Sequence, residues 1–233
     1  METRISPLEI EAFVATHNNP AGLNTLIWSI LLGEVKPGFL TILNTGGSLD
    51  DYQLIQTLNF AAREMKVTFR NIPNETFLVG GEFHFGLFRK TWFELAAKDV
   101  VWLLEDDVVL TPSCLARQLC HDLPNLPRDV DPSNVVNEVT EPEFHAYHYA
   151  GKPTRIRKGC MFGLLARLED LRAVPDLDRV AGHDDSWIVA HLRPTVIPDV
   201  VCYHTRPSRM HFSQFGSIIE SFLTGRLTPP RGE

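Results

Sequence analysis

Three acidic side chains interrupt an apolar run. Val100-Val101-Trp102-Leu103-Leu104 leads straight into Glu105-Asp106-Asp107, and Val108-Val109-Leu110 follows at once. Carboxylates are costly to bury unpaired. A solvated turn would tolerate them, but such a turn ordinarily offers Gly, Pro or Asn, and here apolar residues resume immediately. A divalent cation would offset their mutual repulsion, and carboxylates with water suit Mg²⁺ or Mn²⁺. A cation so held can bridge a diphosphate and neutralise charge on a leaving group. The pattern predicts metal-diphosphate chemistry, with a structural acidic turn as the alternative. A second acidic pair, Asp184-Asp185, opens a helical stretch, where acids also suit the helix dipole. His204 ends a strand-like stretch from Val200, and its spacing alone fits a metal ligand or a backbone hydrogen bond equally.

These residues need elements to position them. Ile10 to Ala15 reads as a buried strand ending at Thr16-His17-Asn18-Asn19-Pro20, with Asn19 capping a helix and Pro20 at its first position. Leu23, Leu26, Ile27, Ile30 and Leu31 recur at helical spacing. Phe39 to Leu43 is a second strand, broken by Asn44-Thr45-Gly46-Gly47; Ser48-Leu49-Asp50-Asp51 has the form of a capping box. Leu54, Ile55, Leu58 and Ala62 predict the apolar face of the next helix, and Lys66 to Arg70 a third strand. A glycine-bearing loop, Gly80 to Gly86, leads to a helix over Phe88 to Ala97, and Val100 to Leu104 is a fourth strand. Four strands separated by helices imply a parallel sheet with right-handed crossovers. Ligands on such sheets sit beyond the carboxyl ends of the strands. The ends at Thr16-His17-Asn18, Asn44-Thr45-Gly46, Arg70-Asn71-Ile72 and Glu105-Asp106-Asp107 are polar and are expected side by side. Five prolines break up residues 121–153, an excursion in which Phe144 to Tyr149 reads as a strand. Further strands are expected near Cys160 to Leu165 and over Val200 to His204, a helix after His183-Asp184-Asp185, and a terminal helix over His211 to Leu223. Trp102 and Trp187 are expected in the core.

Taken in order, these segments resemble a compact GT-A glycosyltransferase of the family 2 type. Leu104-Glu105-Asp106-Asp107-Val108 is similar to that family's Asp-x-Asp motif, with Glu105 in place of the first Asp. Gly86-Leu87-Phe88-Arg89 followed by Ala96 resembles the glycine-to-Ala-Arg-Asn stretch before it, with Lys90 replacing the Asn. Thr16-His17-Asn18-Asn19 resembles the nucleotide-binding end of the first strand, and Asn44-Thr45-Gly46-Gly47-Ser48 matches the usual Asp-Asp-Gly-Ser loosely, without its first aspartate. Gly182-His183-Asp184-Asp185-Ser186-Trp187 resembles the Gly-Glu-Asp segment, and Pro198 to His204 the strand ending in a metal-binding His. The resemblance spans roughly residues 8–205. Single motifs of this kind are common; their order and spacing, 77 residues from Asp107 to Asp184 and 20 more to His204, are specific.

The resemblance implies a single α/β GT-A (Rossmann-like) domain, with a central mostly parallel sheet flanked by helices and a smaller C-terminal acceptor-side region. Residues 1–110 would bind the nucleotide-sugar, and residues 111–233 would form the acceptor half. It implies an inverting hexosyl- or pentosyltransferase using Mn²⁺ or Mg²⁺ and a donor such as a UDP-sugar. Asp107 and His204 would hold the metal. Thr16, His17, Asn18, Asn44, Asn71, Arg89, Glu105 and Asp106 would contact the donor. Asp184, or its neighbour Asp185, would act as general base.

The acceptor is left open between a small molecule or glycan and a hydroxymethylated base in DNA. The 233 residues carry a net charge of −7, divided as −10 over residues 1–150 and +3 over residues 151–233. The basic run Lys152, Arg155, Arg157 and Lys158, with His145, Tyr147, His148 and Tyr149, permits an anionic acceptor, while the overall acidity weighs against a polyanion. A non-catalytic nucleotide- or glycan-binding module on the same fold is the alternative. A sugar-nucleotidyltransferase would need a glycine-rich, arginine-bearing loop after the first strand, which Thr16 to Pro20 is not. There is no apolar run of membrane-spanning length and no basic-then-apolar leader. The four cysteines, Cys114, Cys120, Cys160 and Cys202, match no zinc spacing and read as reduced thiols of a cytoplasmic protein.

Overall fold

The computed structural model describes residues 5–130, 154–155, 161–182 and 184–204. Its centre is a nine-stranded sheet. Strands β1 (Ile10–Thr16), β2 (Phe39–Asn44) and β3 (Lys66–Asn71) are joined by helices α1 (Pro20–Leu31) and α2 (Tyr52–Glu64). A short hairpin, β4 (Leu78–Val79) and β5 (Glu82–Phe83), precedes α3 (Phe85–Leu95). Then come β6 (Val100–Glu105), β7 (Val108–Leu110), α4 (Cys114–Gln118), β8 (Asn125–Val130), β9 (Thr154–Arg155) and β10 (Leu164–Arg167). Two helices, α5 (Leu168–Arg172) and α6 (Asp184–Leu192), lead to β11 (Thr195–His204).

The sheet order is β3-β2-β1-β6-β10-β8-β11-β7, with β9 on β11. Strands β3, β2, β1 and β6 are all parallel, as helix crossovers require. Strand β10 runs antiparallel to β6 and β8, β11 runs parallel to β8, and β7 returns antiparallel to β11. Most paired residues therefore lie in parallel ladders. The continuous apolar runs are buried on both sheet faces. Val14, Ile42 and Trp102 face a core shared with α1 and α2, whereas Phe13, Leu43 and Leu103 face Phe88, Trp92, Leu171 and Ile188 of α3, α5 and α6. This is the period of two expected of a strand.

Asn19 caps α1 by accepting from the Gly22 amide at 3.0 Å, with Pro20 in the first turn. The second cap differs from expectation. Asp51, not Ser48, accepts from the Leu54 amide at 2.9 Å, while Ser48 Oγ accepts from the Asp50 amide. Helix α2 thus begins three residues later than a Ser48 cap would start it. Its buried face is also rotated: Leu54, Thr57 and Ala61 are inside, Leu58 is half-buried, and Ile55 and Ala62 are exposed. Thr57 can be inside because its hydroxyl lies within hydrogen-bond distance of two acceptors, Asn24 Oδ1 and the Gln53 carbonyl. Trp187 is 37% exposed rather than in the core, its indole N–H donating to the Pro175 carbonyl, whereas Trp102 is buried. The expected Phe144–Tyr149 strand, the His211–Leu223 helix, Cys160, His183 and most of the basic run lie outside the described residues. Among the described residues no helix is long and apolar enough to cross a membrane.

Candidate functional site

Parallel strand ends define where a ligand goes. The registers Thr16 with Asn44, Asn44 with Asn71 and Ala15 with Glu105 bring the ends of β1, β2, β3 and β6 to one edge of the sheet. A cleft of about 430 Å³ opens there, lined by Thr16, His17, Thr45, Asn74, Phe83, Phe85, Phe88, Arg89 and the acidic turn Glu105-Asp106-Asp107. Its size suits a small organic ligand.

The acidic turn is held from two sides. Thr16 Oγ1 donates to Asp106 Oδ2 at 2.5 Å, joining β1 to the turn. Helix α1 rests directly on it, because a Cβ at Gly22 would collide with the Asp106 carbonyl oxygen. Burial pushes the Asp106 carboxyl up to about 7, against the Thr16 hydrogen bond and with the charge of Asp107 adding to the rise.

The loops after β1 and β2 clasp each other. Asn18, at φ 50°, accepts from the Gly47 amide at 2.6 Å, and His17 Nδ1 lies 3.1 Å from Thr45 Oγ1. Asn44 is buried, and its amide is consumed locally. Nδ2 donates to the carbonyls of Gly46 and Gly47 and to Asn71 Oδ1, and Oδ1 accepts from the Gly46 amide. Asn44 and Asn71 thus shape the loop, and neither lines the cleft; Thr16 and His17 do.

Arg89 gathers the remaining acids. Its Nε donates to Asp184 Oδ2 at 2.7 Å, and its Nη2 donates to Asp185 Oδ1 at 3.1 Å and to Glu105 Oε1. Burial works against its charge, but Glu105, Asp185 and Asp184 outweigh that and raise its pKa. Burial also raises the Asp185 carboxyl, opposed by Arg89 and reinforced by Glu105 and Asp184. Asp184 and Asp185 therefore join the acidic turn through a guanidinium, and they are not among the side chains lining the cleft.

For a cation, Asp107 borders the cleft, and His204 stands in register with Val108, the next residue along, on the antiparallel β7–β11 ladder. Among the described residues no three His, Cys, Asp or Glu side chains gather as a complete cage.

Sequence reasoning missed the aromatic wall. Gly80 and Gly81, at φ 64° and 88°, form the tight turn of the β4–β5 hairpin rather than an open loop. The hairpin and the following turn set Phe83 against Phe77, Phe85 and Phe88 with ring centroids 4.8–5.8 Å apart. The signal was present: a Gly-Gly pair flanked by apolar residues is a hairpin turn.

No family model matches the sequence, and no curated protein matches it. Solved structures do match in fold. S. aureus TarS superposes with a TM-score of 0.57 at 11% identity, over 95% of this chain and 44% of TarS. TarS 1-349 in complex with UDP gives 0.55 at 12% identity, over 92% of this chain and 70% of that one. The mannosyltransferase PcManGT from Pyrobaculum calidifontis, in complex with GDP-Man and Mn²⁺, gives 0.56 at 16% identity, over 97% and 66%. The chain spans less than half the length of full TarS. Its fold is GT-A-like, that of these glycosyltransferases.

Proposed function

We propose that the chain moves a sugar from a nucleotide-sugar donor to an acceptor hydroxyl, with inversion at the anomeric carbon and with Mn²⁺ or Mg²⁺ bound beside Asp107. The observation that carries this is the meeting of the acidic turn with Thr16 and His17 around one cleft, while Arg89 ties Asp184 and Asp185 to the same turn. The ligands in the fold neighbours are of the matching class: UDP and UDP-GlcNAc in TarS, GDP-Man with Mn²⁺ in PcManGT.

In this reading Asp107 and His204 hold the cation, Thr16 and Asp106 fix the turn, and His17 and Thr45 border the nucleotide. A bound cation supplies charge neutralisation for the diphosphate. The acceptor oxygen attacks the anomeric carbon as the bond to the diphosphate oxygen breaks, and that electron pair leaves with the nucleoside diphosphate. Asp184 or Asp185 takes the hydroxyl proton, a contribution of about 10²–10⁴-fold. The acceptor is a soluble hydroxyl compound, a small molecule or glycan, with a hydroxymethylated DNA base as the variant to be separated by a salt-sensitive gel shift.

The test is a panel of UDP- and GDP-sugars with Mn²⁺, read as donor hydrolysis and as transfer. Slow hydrolysis without acceptor is expected, falling about 10²–10³-fold in Asp107→Ala. Transfer is expected to fall by the general-base factor in Asp184→Asn or Asp185→Asn. Nucleotide binding without turnover would instead mark a binding module, and absence of both would refute the proposal.

A further inference from the structure

Helix α3 reaches both sides of the site through Arg89. Its first turn lies flat on the segment leading to α6. The Phe85 and Gly86 amides donate to the carbonyls of Ala181 and Val180 at 3.3 and 3.0 Å, and a Cβ on Gly86 would collide with the Leu177 and Val180 carbonyl oxygens. Three residues on, the Arg89 side chain is 6% exposed. Its Nε and Nη2 are committed to Asp184, Asp185 and Glu105. Its Nη1 is buried without a hydrogen-bond partner, and the guanidinium carbon lies 4.6 Å from the Trp92 ring centroid and 5.4 Å from that of Phe88. Although Arg89 borders the cleft, its Nε and Nη2 are taken by carboxylates and its Nη1 is buried, so none of its donors is presented to a phosphate.

We propose that Arg89 is a positioning residue that locks the start of α6, with Asp184 and Asp185, to the end of β6, with Glu105, and that it does not bind the donor. This rests on the functional reading above. The two carboxylate groups come from elements 79 residues apart in sequence. Only a planar, multi-donor cation can hold both in one orientation; a lysine ammonium supplies the charge without the fork. A misplacement of about 1 Å between reacting groups costs on the order of 10² in rate.

The experiment compares wild type with Arg89→Lys, using UDP with Mn²⁺ in calorimetry and UDP-sugar hydrolysis at saturating donor. The expected result is a nucleotide Kd within threefold of wild type and a turnover lower by about 100-fold. A tenfold or greater loss of nucleotide affinity, or an unchanged turnover, overturns the inference. Should Arg89→Lys fail to fold, wild type decides by ¹⁵N NMR of the Arg89 Nε–H. A resonance unmoved by UDP with Mg²⁺ supports the carboxylate lock, and one that moves off Asp184 on nucleotide binding overturns it. If wild type itself binds no UDP or GDP and hydrolyses no donor, the functional reading fails and takes this inference with it. If wild type does both and only the Arg89 outcome goes the other way, this inference alone fails.

Discussion

One guanidinium faces three carboxylates, and one of them, Asp185, is itself buried enough to titrate away from the ordinary range. Burial, with Glu105 and Asp184 nearby, raises the Asp185 carboxyl despite Arg89. A raised carboxyl keeps a proton in the folded chain that the unfolded chain has already released. From the ordinary aspartate range up to the raised value, this group therefore makes stability fall as pH rises. Asp185→Asn keeps an acceptor for Arg89 and removes the titration. Thermal melts in metal-free buffer should show Asp185→Asn gaining Tm over wild type at pH 8, with the gap closing toward pH 4. A larger loss at pH 8 than at pH 4 would mean that the Arg89 pairing dominates instead. Asn44 teaches a related lesson. The family resemblance implies that Asn44 contacts the donor, but its amide is spent on its own loop and on Asn71. The side chains that do face the cleft include His17, Thr45 and Asn74.

At the scale of elements, close backbone approach does the positioning. Gly22 lets α1 rest on the acidic turn, and Gly86 lets α3 rest on residues 177–181. The far end of α3 is secured by Arg172, whose guanidinium donates to the carbonyls of Phe93, Glu94 and Ala96, groups a helix end leaves unpaired. Because the colliding atoms at Gly86 are backbone, they cannot swing aside. Gly86→Ala is expected to cost about 1–3 kcal/mol, the range for overpacking. Chemical denaturation should show the loss in the midpoint without a change in slope. Transfer should fall further than stability does, since the same shift carries Arg89 away from Asp184.

For the whole molecule, the occupant of the cleft and its cation are read through the stability they add. A ligand binding only the folded chain stabilises it by about 2.7 kcal/mol at a hundred times its Kd. For a chain of this length each kcal/mol moves Tm by roughly 2–4 °C. UDP or GDP with Mn²⁺ should therefore raise Tm by about 5–10 °C. Asp107→Ala should lose the part of that rise that depends on Mn²⁺. A nucleotide shift equal with and without Mn²⁺ in wild type would remove the cation from the site.

Much of this was open to reading in the chain itself. Apolar runs of strand length, helices at 3.6-residue spacing and the Asn19-Pro20 start determined a parallel α/β sheet and placed Thr16, Asn44, Asn71 and Glu105 at one edge, because these are local consequences of backbone geometry and hydrophobic pattern. The Gly80-Gly81 turn is equally local, but its flanking strands are only two residues each and give little alternation to mark them. What sequence could not decide is which polar groups are consumed by one another. Whether Arg89 meets the donor or three carboxylates, whether Asn44 meets the donor or its own loop, and whether Ser48 or Asp51 caps α2 depend on distances between residues far apart in sequence or on competing local hydrogen bonds. Those are settled only when the elements pack, since each buried donor and acceptor must then find a partner within about 3 Å.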